Sequence, residues 1–459
     1  MRLVFTVTND LSYDQRMQRI CGTLSQAGYD VTLVGFLRPN SRALVEQPYR
    51  QERLNLRYTR GKLFYLEYNW RLYRRLRRLR PDGICSIDLD TLSAGFFASK
   101  ALKVSLVFDA HEYYSELPEV VSRPWVRRFW SALEGWLCPR VAHNYTVSES
   151  VAQALSVRYG QPYAVFPNYP RRQAHGGAAA GAGAAAGAGA AEGAGAAAGA
   201  AAAAGEGAAA GAAAGAAAAA GEGLPTSGRQ SSRYEDSALQ NGPPGSGQPF
   251  VLYQGALNLG RGLEAAIHSF QTLPLPLVVA GEGDLSASLR ELAARQAKPG
   301  QTRFLGYVEP AALRALTAQA WLGLNLLQDQ GLSYRYSLSN KFFDYVQACV
   351  PQIAMDFPEY RRLNSQHEVA VLVPDAQPGT VRNAVKTLLD DPARCERLRS
   401  ACCQAREAWV WESLEGELIA FYARVFASAA TATYGTAPSN PANPAQSTVP
   451  LPPKKTTPS

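Results

Sequence analysis

A histidine and a glutamate directly follow an apolar run in the first third of the chain. The run 104–108 (VSLVF) precedes Asp109-Ala110-His111-Glu112. Ligands of open α/β sheets bind beyond the carboxyl ends of the strands, so we expect both side chains in a cleft. There a histidine can position a sugar hydroxyl, and a glutamate can orient a group or accept a proton. The alternative is a structural histidine held by Asp109 in a loop.

Three more polar residues end predicted strands of the same block: Asn9, Asp10 and Asp88. We expect them to line the same cleft. Asp88 and Asp90 could also be read as a pair that bridges a metal ion. We favour Asp90 as the cap of the following helix, and therefore predict no metal site.

In the second half, the segment 337–345 (SLSNKFFDY) predicts a phosphate-binding helix start. Ser339 or Asn340 can cap the helix, which leaves backbone N–H groups and the Lys341 ammonium to hold a diphosphate. Asp344 lies one turn further along and could accept both hydroxyls of a ribose. The alternative is a capped helix with a solvated Lys341–Asp344 pair.

A second junction begins at Gly255, where GALNLGRGLE follows an apolar run. The two glycines that flank Arg261 let the backbone approach a ligand while the guanidinium reaches its phosphates. The alternative is a surface turn with a solvated arginine. The nearby Gly281-Glu282-Gly283 lacks the last glycine of a dinucleotide-binding motif and predicts a tight strand-to-helix turn.

The elements that position these residues alternate between apolar runs and helical patterns, in two blocks. Such alternation predicts parallel sheets covered by helices on both faces. The fold class is therefore α/β, with two doubly wound, Rossmann-like domains that face each other across a cleft. The predicted strands are RLVFTV, DVTLVGF, GICSI, VSLVFDA and HNYTV in the first block, and PFVLYQG, PLPLVVAGEG, RFLGYV, WLGLNLL, PQIAMD and VAVLVP in the second.

Composition sets the domain boundaries. Every residue from 176 to 223 is Ala or Gly except for three glutamates, and the stretch up to 248 is rich in Ser, Gly and Pro. We predict an N-terminal domain at 1–168, a low-complexity and mostly disordered linker at 169–248, a C-terminal nucleotide-sugar-binding domain at 249–426, and a disordered Pro/Thr-rich tail at 427–459.

Bulk properties narrow the compartment and the partners. The seven cysteines are scattered without paired spacing, which predicts a reducing compartment, and no apolar stretch is long enough for a membrane helix. We therefore expect a cytoplasmic protein. The net charge of +8 suits an anionic partner such as a nucleotide sugar or lipid surface, and we expect no nucleic acid. The Arg-rich aromatic pattern at 63–80 suits peripheral contact with an anionic membrane at its inner face, although Arg stems often only cover a helix flank.

Taken in order, six segments resemble the retaining glycosyltransferases of the two-domain GT-B fold, specifically family 4, or group 1. The resemblance covers nearly everything outside the linker and tail. It implies that Arg261 contacts the donor diphosphate, that Asp344 binds the ribose, and that His111 lies near the reacting sugar. A family arginine is replaced by Ala256, and the first of the family's two acidic residues by Tyr336. The segments are NDLSYDQR, DLDTL, DAHEYYSELPE, YQGALNLGRGLE, AGEGDL and SLSNKFFDYVQACVPQIAMDFPE.

The resemblance also implies the reaction and a final helix, near 411–426, that returns to the N-terminal domain. A hexosyl group would pass from a nucleotide diphosphate sugar to an acceptor hydroxyl on a glycan or lipid-linked molecule, with retention of configuration and without a metal or other cofactor. We expect front-face displacement, with Glu112 as the alternative nucleophile. A nucleotide-sugar epimerase or hydrolase, or a catalytically silent binding protein, are the other interpretations.

Overall fold

The computed structural model describes residues 1–12, 14–39, 41–172, 248–296, 298 and 300–433, with the backbone alone at 428–433. Most of the predicted linker and tail therefore lies outside the described residues.

The first domain is built on a seven-stranded parallel sheet. Its central strands are buried on both faces, as their continuous apolar runs predict. The strands are β1 (Arg2–Thr6), β2 (Asp30–Phe36), β3 (Arg50–Leu54), β4 (Gly83–Ile87), β5 (Ser105–Ala110), β6 (His143–Thr146) and β7 (Tyr163–Val165). They are arranged in the order β3-β2-β1-β4-β5-β6-β7.

Helices cover both faces of this sheet. They are α1 (Gln15–Gln26), α2 (Gly61–Leu79), α3 (Asp88–Leu102), α4 (Pro118–Val121), α5 (Pro124–Leu137) and α6 (Glu149–Tyr159). The side chain of Asp14 caps α1 by accepting from the backbone N–H of Met17, and Pro124 occupies the first turn of α5.

The second domain repeats this scheme with six parallel strands. These are β8 (Val251–Gln254), β9 (Leu277–Ala280), β10 (Thr302–Gly306), β11 (Leu322–Asn325), β12 (Gln352–Met355) and β13 (Ala370–Val373), in the order β10-β9-β8-β11-β12-β13. Its helices are α7 (Leu263–Phe270), α8 (Ser286–Ala294), α9 (Pro310–Gln319), α10 (Leu332–Arg335), α11 (Asn340–Gln347), α12 (Pro358–Gln366), α13 (Pro378–Asp390) and α14 (Pro392–Ala408). The predicted fold class, two doubly wound α/β domains, is confirmed.

The last helix, α15 (Glu415–Thr433), returns to the first domain. Its buried Tyr422 contacts the hydroxyl of Tyr145 on β6 at 3.1 Å. Just before the helix, the Trp411 indole N–H donates to the hydroxyl of Thr23 on α1 at 2.9 Å. The C-terminal chain thereby completes the core of the N-terminal domain. The helix ends seven residues beyond the predicted limit at Phe426.

One cysteine pair differs from the sequence-based expectation. Cys349, at the end of α11, forms a disulfide with Cys403 in α14, 54 residues further along the chain. Sequence spacing could not indicate the pair, because the fold alone brings the two Cα atoms to 4.9 Å.

Candidate active site

The two domains face each other at the points where their strand order reverses. In the first sheet this point lies between β1 and β4, and in the second between β8 and β11. Loops after these strands diverge there and leave a crevice, the usual ligand site of open α/β sheets. The crevice encloses about 280 Å³. It is lined by Val7, Thr8, Asn9, Asp10, Asp14, Arg16, Arg38, Ile87, Asp88, His111, Glu112, Val147, Val151 and Asn168 of the N-terminal half, and by Arg261, Leu327, Ser333, Tyr334, Ser337, Leu338, Ser339 and Asn340 of the C-terminal half.

His111 lies in this cleft and is held by a buried chain of charges. Its Nε2 contacts Asp109 Oδ2 at 2.9 Å, and Asp109 also forms an ion pair with Arg16, where Nη2 and Oδ1 are 3.1 Å apart. Arg16 and Asp109 are almost fully buried, at 3% and 0% exposure, whereas the His111 side chain keeps 16%. The ring is therefore oriented from behind and open to the cleft in front. Both sequence interpretations hold in part, since His111 is bonded to Asp109 and also faces the cleft.

The charges in this chain decide the protonation of His111. Burial alone lowers the pKa of His111, but the carboxylates of Asp109 and then Asp88 outweigh it and raise the pKa. Burial likewise raises the pKa of Asp109, while Arg16 and then His111 lower it more strongly, so Asp109 stays ionised. The raised pKa keeps the imidazole protonated to a higher pH, and a protonated ring carries a hydrogen-bond donor on each nitrogen.

Two other carboxyls on the N-terminal side carry raised pKa values. Burial raises the pKa of Asp88 to about 7, and Asp88 Oδ1 accepts from the His111 backbone N–H at 2.9 Å. Burial, with smaller contributions from Asp88 and Glu119, raises the pKa of Glu112 to about 8. Glu112 is therefore largely protonated at neutral pH, which favours a role as hydrogen-bond donor over one as nucleophile.

The predicted cap at Asp90 is wrong. Helix α3 begins at Asp88 and has no side-chain cap, while Asp90 is buried and accepts from the Thr8 hydroxyl. Asp90 thus joins α3 to the end of β1. Among the described residues, no group of three or more His, Cys, Asp or Glu side chains could hold a metal ion.

Asn9 and Asp10 line the cleft as predicted, and both also shape the loop after β1. The Asn9 amide donates to Asp14 Oδ2 at 2.6 Å, while Asp10 accepts from the Ser41 hydroxyl at 3.0 Å. Their positions are therefore set by the loop itself before any ligand binds.

Arg261 is the cation that the C-terminal domain presents to the cleft. Its guanidinium carbon lies 5.2 Å from the Tyr334 ring centroid, and its buried Nε has no hydrogen-bond partner among the described residues. The flanking glycines both have positive φ, and at Gly262 a Cβ would meet the Leu326 carbonyl oxygen at 2.5 Å. Only glycine lets the loop pack this closely against the end of β11, which sets the position of Arg261.

The start of α11 differs in part from the prediction. Ser339 stands at the N-cap position, but its side chain makes no cap hydrogen bond: the hydroxyl donates to Asn325 Oδ1 at 3.0 Å. Asn340 instead accepts across the cleft from the Asn168 amide at 2.7 Å. Ser339 and Asn340 line the cleft, with the first-turn N–H groups of α11 beside them.

Three predicted donor-binding residues lie behind the lining: Gly255, Lys341 and Asp344. Lys341 is half-buried rather than exposed, because its stem passes Gly255 and its Nζ lies 4.0 Å from the Tyr253 ring centroid. Burial, followed by the charge of Arg261, holds the pKa of Lys341 well below its ordinary value. Asp344 accepts from the Gln254 amide at 3.0 Å, and burial raises its pKa to about 6. Neither residue forms the solvated pair of the alternative interpretation.

Tyr336 closes the cleft instead of supplying a carboxylate. Its side chain packs against the hydrophobic cluster of the N-terminal domain, and its carbonyl accepts from the Ser148 hydroxyl at 2.8 Å. Nearby, Glu359 accepts from both the backbone N–H and the hydroxyl of Ser150, each at 2.7 Å. These contacts hold the two domains together beside the site.

Several cleft residues escaped the sequence-based search. Arg16 carried the clearest signal, since it precedes Ile20 by one helical turn and so shares the buried face of α1. Its partner Asp109 is 93 residues away, so the pairing itself could not be predicted. The other missed residues include Arg38, Asn168 and Ser337, which lie in loops without a local pattern, and Tyr334, which lies in the four-residue helix α10.

No helix among the described residues has the length and apolar character needed to cross a bilayer. No curated protein shows a significant sequence match to the chain.

Two family models match the chain, one in each half. Residues 13–169 match the glycosyl transferase 4-like domain, and residues 236–402 match the glycosyl transferases group 1. Together the two matches span more than two thirds of the chain.

Solved structures share the fold at low sequence identity. Sucrose-phosphate synthase from Thermosynechococcus elongatus has a TM-score of 0.68 at 15% identity, covering 93% of this chain and 100% of that one. Anabaena HepE in complex with UDP and glucose has a TM-score of 0.61 at 13% identity, with the same coverage. WaaG, a glycosyltransferase of lipopolysaccharide biosynthesis, has a TM-score of 0.59 at 12% identity, covering 91% of this chain and 98% of WaaG. The two-domain architecture is thus that of GT-B glycosyltransferases.

Proposed function

We propose that this chain, which belongs to the group 1 and 4-like glycosyltransferases, transfers a hexosyl group from a nucleotide diphosphate sugar to an acceptor hydroxyl on a glycan or lipid-linked molecule. The observation that carries the proposal is the opposition of Arg261 to His111 and Glu112 across one cleft. One side offers, for a leaving phosphate, a cation whose buried Nε has no hydrogen-bond partner among the described residues, and the other offers hydrogen-bond donors for a sugar.

The donor binds mainly on the C-terminal side. Arg261 and the first turn of α11 would hold the diphosphate, because a guanidinium and helix N–H groups both favour anions. Asp344 would reach the ribose from behind the lining, and a phosphate nearby would favour the charged form of Lys341. Since HepE, which shares the fold, is complexed with UDP and glucose, uridine nucleotides are the first donors to test.

The reaction proceeds with retention and without a metal ion. The acceptor oxygen attacks the anomeric carbon on the face from which the diphosphate leaves, the bond to the diphosphate oxygen breaks, and the acceptor proton passes to that oxygen. Arg261 stabilises the charge that develops on the leaving group, the role for which other sites use a metal. His111, held by Asp109 and Arg16, donates to a sugar hydroxyl and positions the ring.

Turnover with a panel of nucleotide diphosphate sugars, with and without acceptor extracts, tests this function. Release of nucleoside diphosphate that depends on the acceptor, with the anomeric configuration retained in the product, is expected. Epimerised sugar nucleotide would indicate an epimerase, acceptor-independent release a hydrolase, and binding without turnover a silent protein. Any of these three results would contradict the proposal.

A further inference from the structure

Helix α5 exposes a row of large aromatic side chains on the outside of the N-terminal domain. Trp125 is 81% exposed, Phe129 61% and Trp136 42%. Their spacings of four and seven residues place all three on one helical face, which we call the α5 stripe. Large aromatics exposed in such a row are unusual on a surface that meets only water.

The stripe continues onto the neighbouring helix. Phe97 of α3 is 52% exposed, and its ring centroid lies 5.9 Å from that of Trp136. Next to this pair is a basic hollow, lined by side chains that include Lys100, Lys103 and Arg140. Arg140 also lies over the Trp136 ring, with its guanidinium carbon 5.2 Å from the centroid. Apolar rings and cations therefore share one surface.

The charge around the stripe is mainly positive. Residues 91–105 and 124–143 contain five lysines and arginines and one acidic residue, Glu134; of the five cations, Arg127 is paired with Glu116 from outside these ranges. Glu134 is only 2% exposed, so it does not offset the cations at the surface. The partner must therefore accept aromatic rings and carry negative charge beside them.

We propose that the α5 stripe docks the protein on an anionic lipid bilayer. Tryptophan and phenylalanine partition to the bilayer interface, where nearby lysines and arginines meet lipid phosphates. An acidic protein could satisfy the charge, but it would need a matching apolar groove. A bilayer offers both properties over the whole length of the helix.

The stripe also has a defined direction relative to the cleft. Near its start, Arg127 of α5 pairs with Glu116 at 2.6 Å, in the segment that follows His111 and Glu112. The helix then runs to the start of β6, on the side of the sheet where the strands begin and away from the cleft. Trp125 is therefore at the cleft end, and a bilayer against the stripe would lie beside the cleft. This assigns a lipid-linked acceptor, a step that rests on the proposed function.

Helix α2 also exposes large apolar side chains next to positive charge. It exposes Leu63, Leu66 and Trp70 on one face, followed on that face by Arg74. The helix approaches α5 through Tyr65 and Trp130, whose ring centroids are 5.4 Å apart. Part of its positive charge is neutralised internally, because Glu67 and Glu52 pair with Arg71 and Arg75. The α5 stripe is for this reason the better target for a test.

Vesicle flotation of the full chain, without any sugar substrate, tests the docking surface. The protein should float with vesicles in which about a third of the lipid is phosphatidylglycerol, and much less with phosphatidylcholine alone. The double variant Trp125→Ser/Phe129→Ser should bind anionic vesicles more weakly by about tenfold or more, since each ring loses its apolar burial. Lys100→Glu/Lys103→Glu should weaken the same binding. The difference between this variant and the wild type should become smaller at high salt.

The matched control is Tyr307→Ser, which removes a half-exposed aromatic side chain of the C-terminal domain. It should leave flotation unchanged. Unaltered melting temperature and UDP affinity in the α5 variants would show that folding and the cleft are intact. Because the assay needs no turnover, it can succeed or fail independently of the transferase reaction.

Three results would overturn the proposal: no flotation of the wild-type protein with anionic vesicles, unchanged flotation of the double variant, or equal loss in the Tyr307 control. A wild-type dimer that the double variant converts to monomer, without vesicle binding, would assign the stripe to a second copy of the chain and equally reject the lipid surface.

Discussion

At the residue scale, the site depends on groups whose protonation the fold has changed. Glu112 follows His111 in the chain, and Asp88 accepts from the His111 backbone N–H. All three side chains have raised pKa values. Each group therefore stays protonated to a higher pH than the same group would in water. Of these groups Glu112 is largely protonated at neutral pH, and it faces the cation on the other side of the cleft.

His111 gives the first prediction. His111→Ala should lower turnover by about 100-fold or more, because a positioned donor near the reacting sugar is lost. UDP affinity should change little, since the proposed diphosphate site is on the opposite domain. Steady-state kinetics, calorimetric UDP binding and thermal melting on the same preparation measure all three.

The control for this variant is His268→Ala, at an exposed histidine of α7. It should behave like wild type in every assay. A large drop in melting temperature for His111→Ala, with near-normal turnover per folded molecule, would make His111 a structural residue.

Glu112 predicts a pH effect on stability. Its pKa rises from 4.5 to about 8 on folding, so the folded protein binds the proton more tightly than the unfolded chain. Stability should therefore fall as the pH rises from 4.5 through about 8, where the carboxyl must ionise in its buried position. Glu112→Gln should make the decline of melting temperature over this range shallower, while Asp88 maintains part of it with the same sign.

Melting curves across this range compare Glu112→Gln with Glu417→Gln, which changes an exposed glutamate of α15. The control should run parallel to wild type. A Glu112→Gln curve that is also parallel to wild type would show that Glu112 titrates near its ordinary pKa.

At the element scale, one buried ion pair connects α1 to the end of β5. Arg16 bonds Asp109 with two nitrogens and donates to the Phe166 carbonyl at 2.6 Å with the third. The pair holds a helix, a strand and the segment after β7 together directly behind His111. The imidazole of His111 is thus positioned by all three of these segments together.

Arg16→Met should therefore affect both stability and turnover. Removing one partner of a buried pair leaves Asp109 uncompensated and costs about 3–5 kcal/mol of unfolding free energy, measured by urea denaturation. The orientation of His111 should loosen as well, so turnover should fall with UDP affinity unchanged. Arg16→Met/Asp109→Leu should recover much of the stability, because no buried charge remains, but not the turnover.

Normal turnover in folded Arg16→Met would contradict a positioning role for the pair. Recovery of turnover by the double variant would contradict it too. Arg50→Met is the control, because its ion pair with Asp30 is exposed and its removal should change the stability little.

Sequence pattern predicted the central strands of both sheets and the edge strands of the second, but it missed both edge strands of the first. The strands DVTLVGF and GICSI match β2 and β4 residue for residue, because buried parallel strands are continuously apolar. The edge strand β3, RQERL, has no apolar run since it pairs with β2 alone and is only half buried. Strand β7 was missed because it is only three residues long.

Cleft residues with a local sequence signal could be predicted, and those that depend on distant contacts could not. His111, Glu112 and Arg261 were predictable, because each directly follows or adjoins a recognisable strand or glycine-rich turn. The burial of Lys341 was not, since it depends on Tyr253, 88 residues earlier in the chain, lying beneath its ammonium. Contacts of this kind arise from tertiary packing and leave no mark in local spacing.

At the scale of the whole molecule, the two sheets are held in a closed arrangement by contacts on both sides of the cleft. Asn168 and Asn340 meet across it, Ser150 and Glu359 beside it, and α15 crosses back to the first domain. Arg261 of the C-terminal domain therefore faces His111 and Glu112 of the N-terminal domain in a defined geometry. Transfer in place of hydrolysis requires such closure, because water must be kept from the reacting centre.

The central claim is that this cleft binds a nucleotide diphosphate through Arg261, and calorimetric titration of UDP tests it most directly. The wild-type protein should bind UDP, and Arg261→Ala should bind it more weakly by about tenfold or more, since a charged hydrogen bond contributes about 1.5–3 kcal/mol. Arg295→Ala, on the exposed side of the same domain, should match wild type. Equal UDP affinity in folded Arg261→Ala and wild type, or no binding of any nucleoside diphosphate to the wild-type protein, would contradict the account.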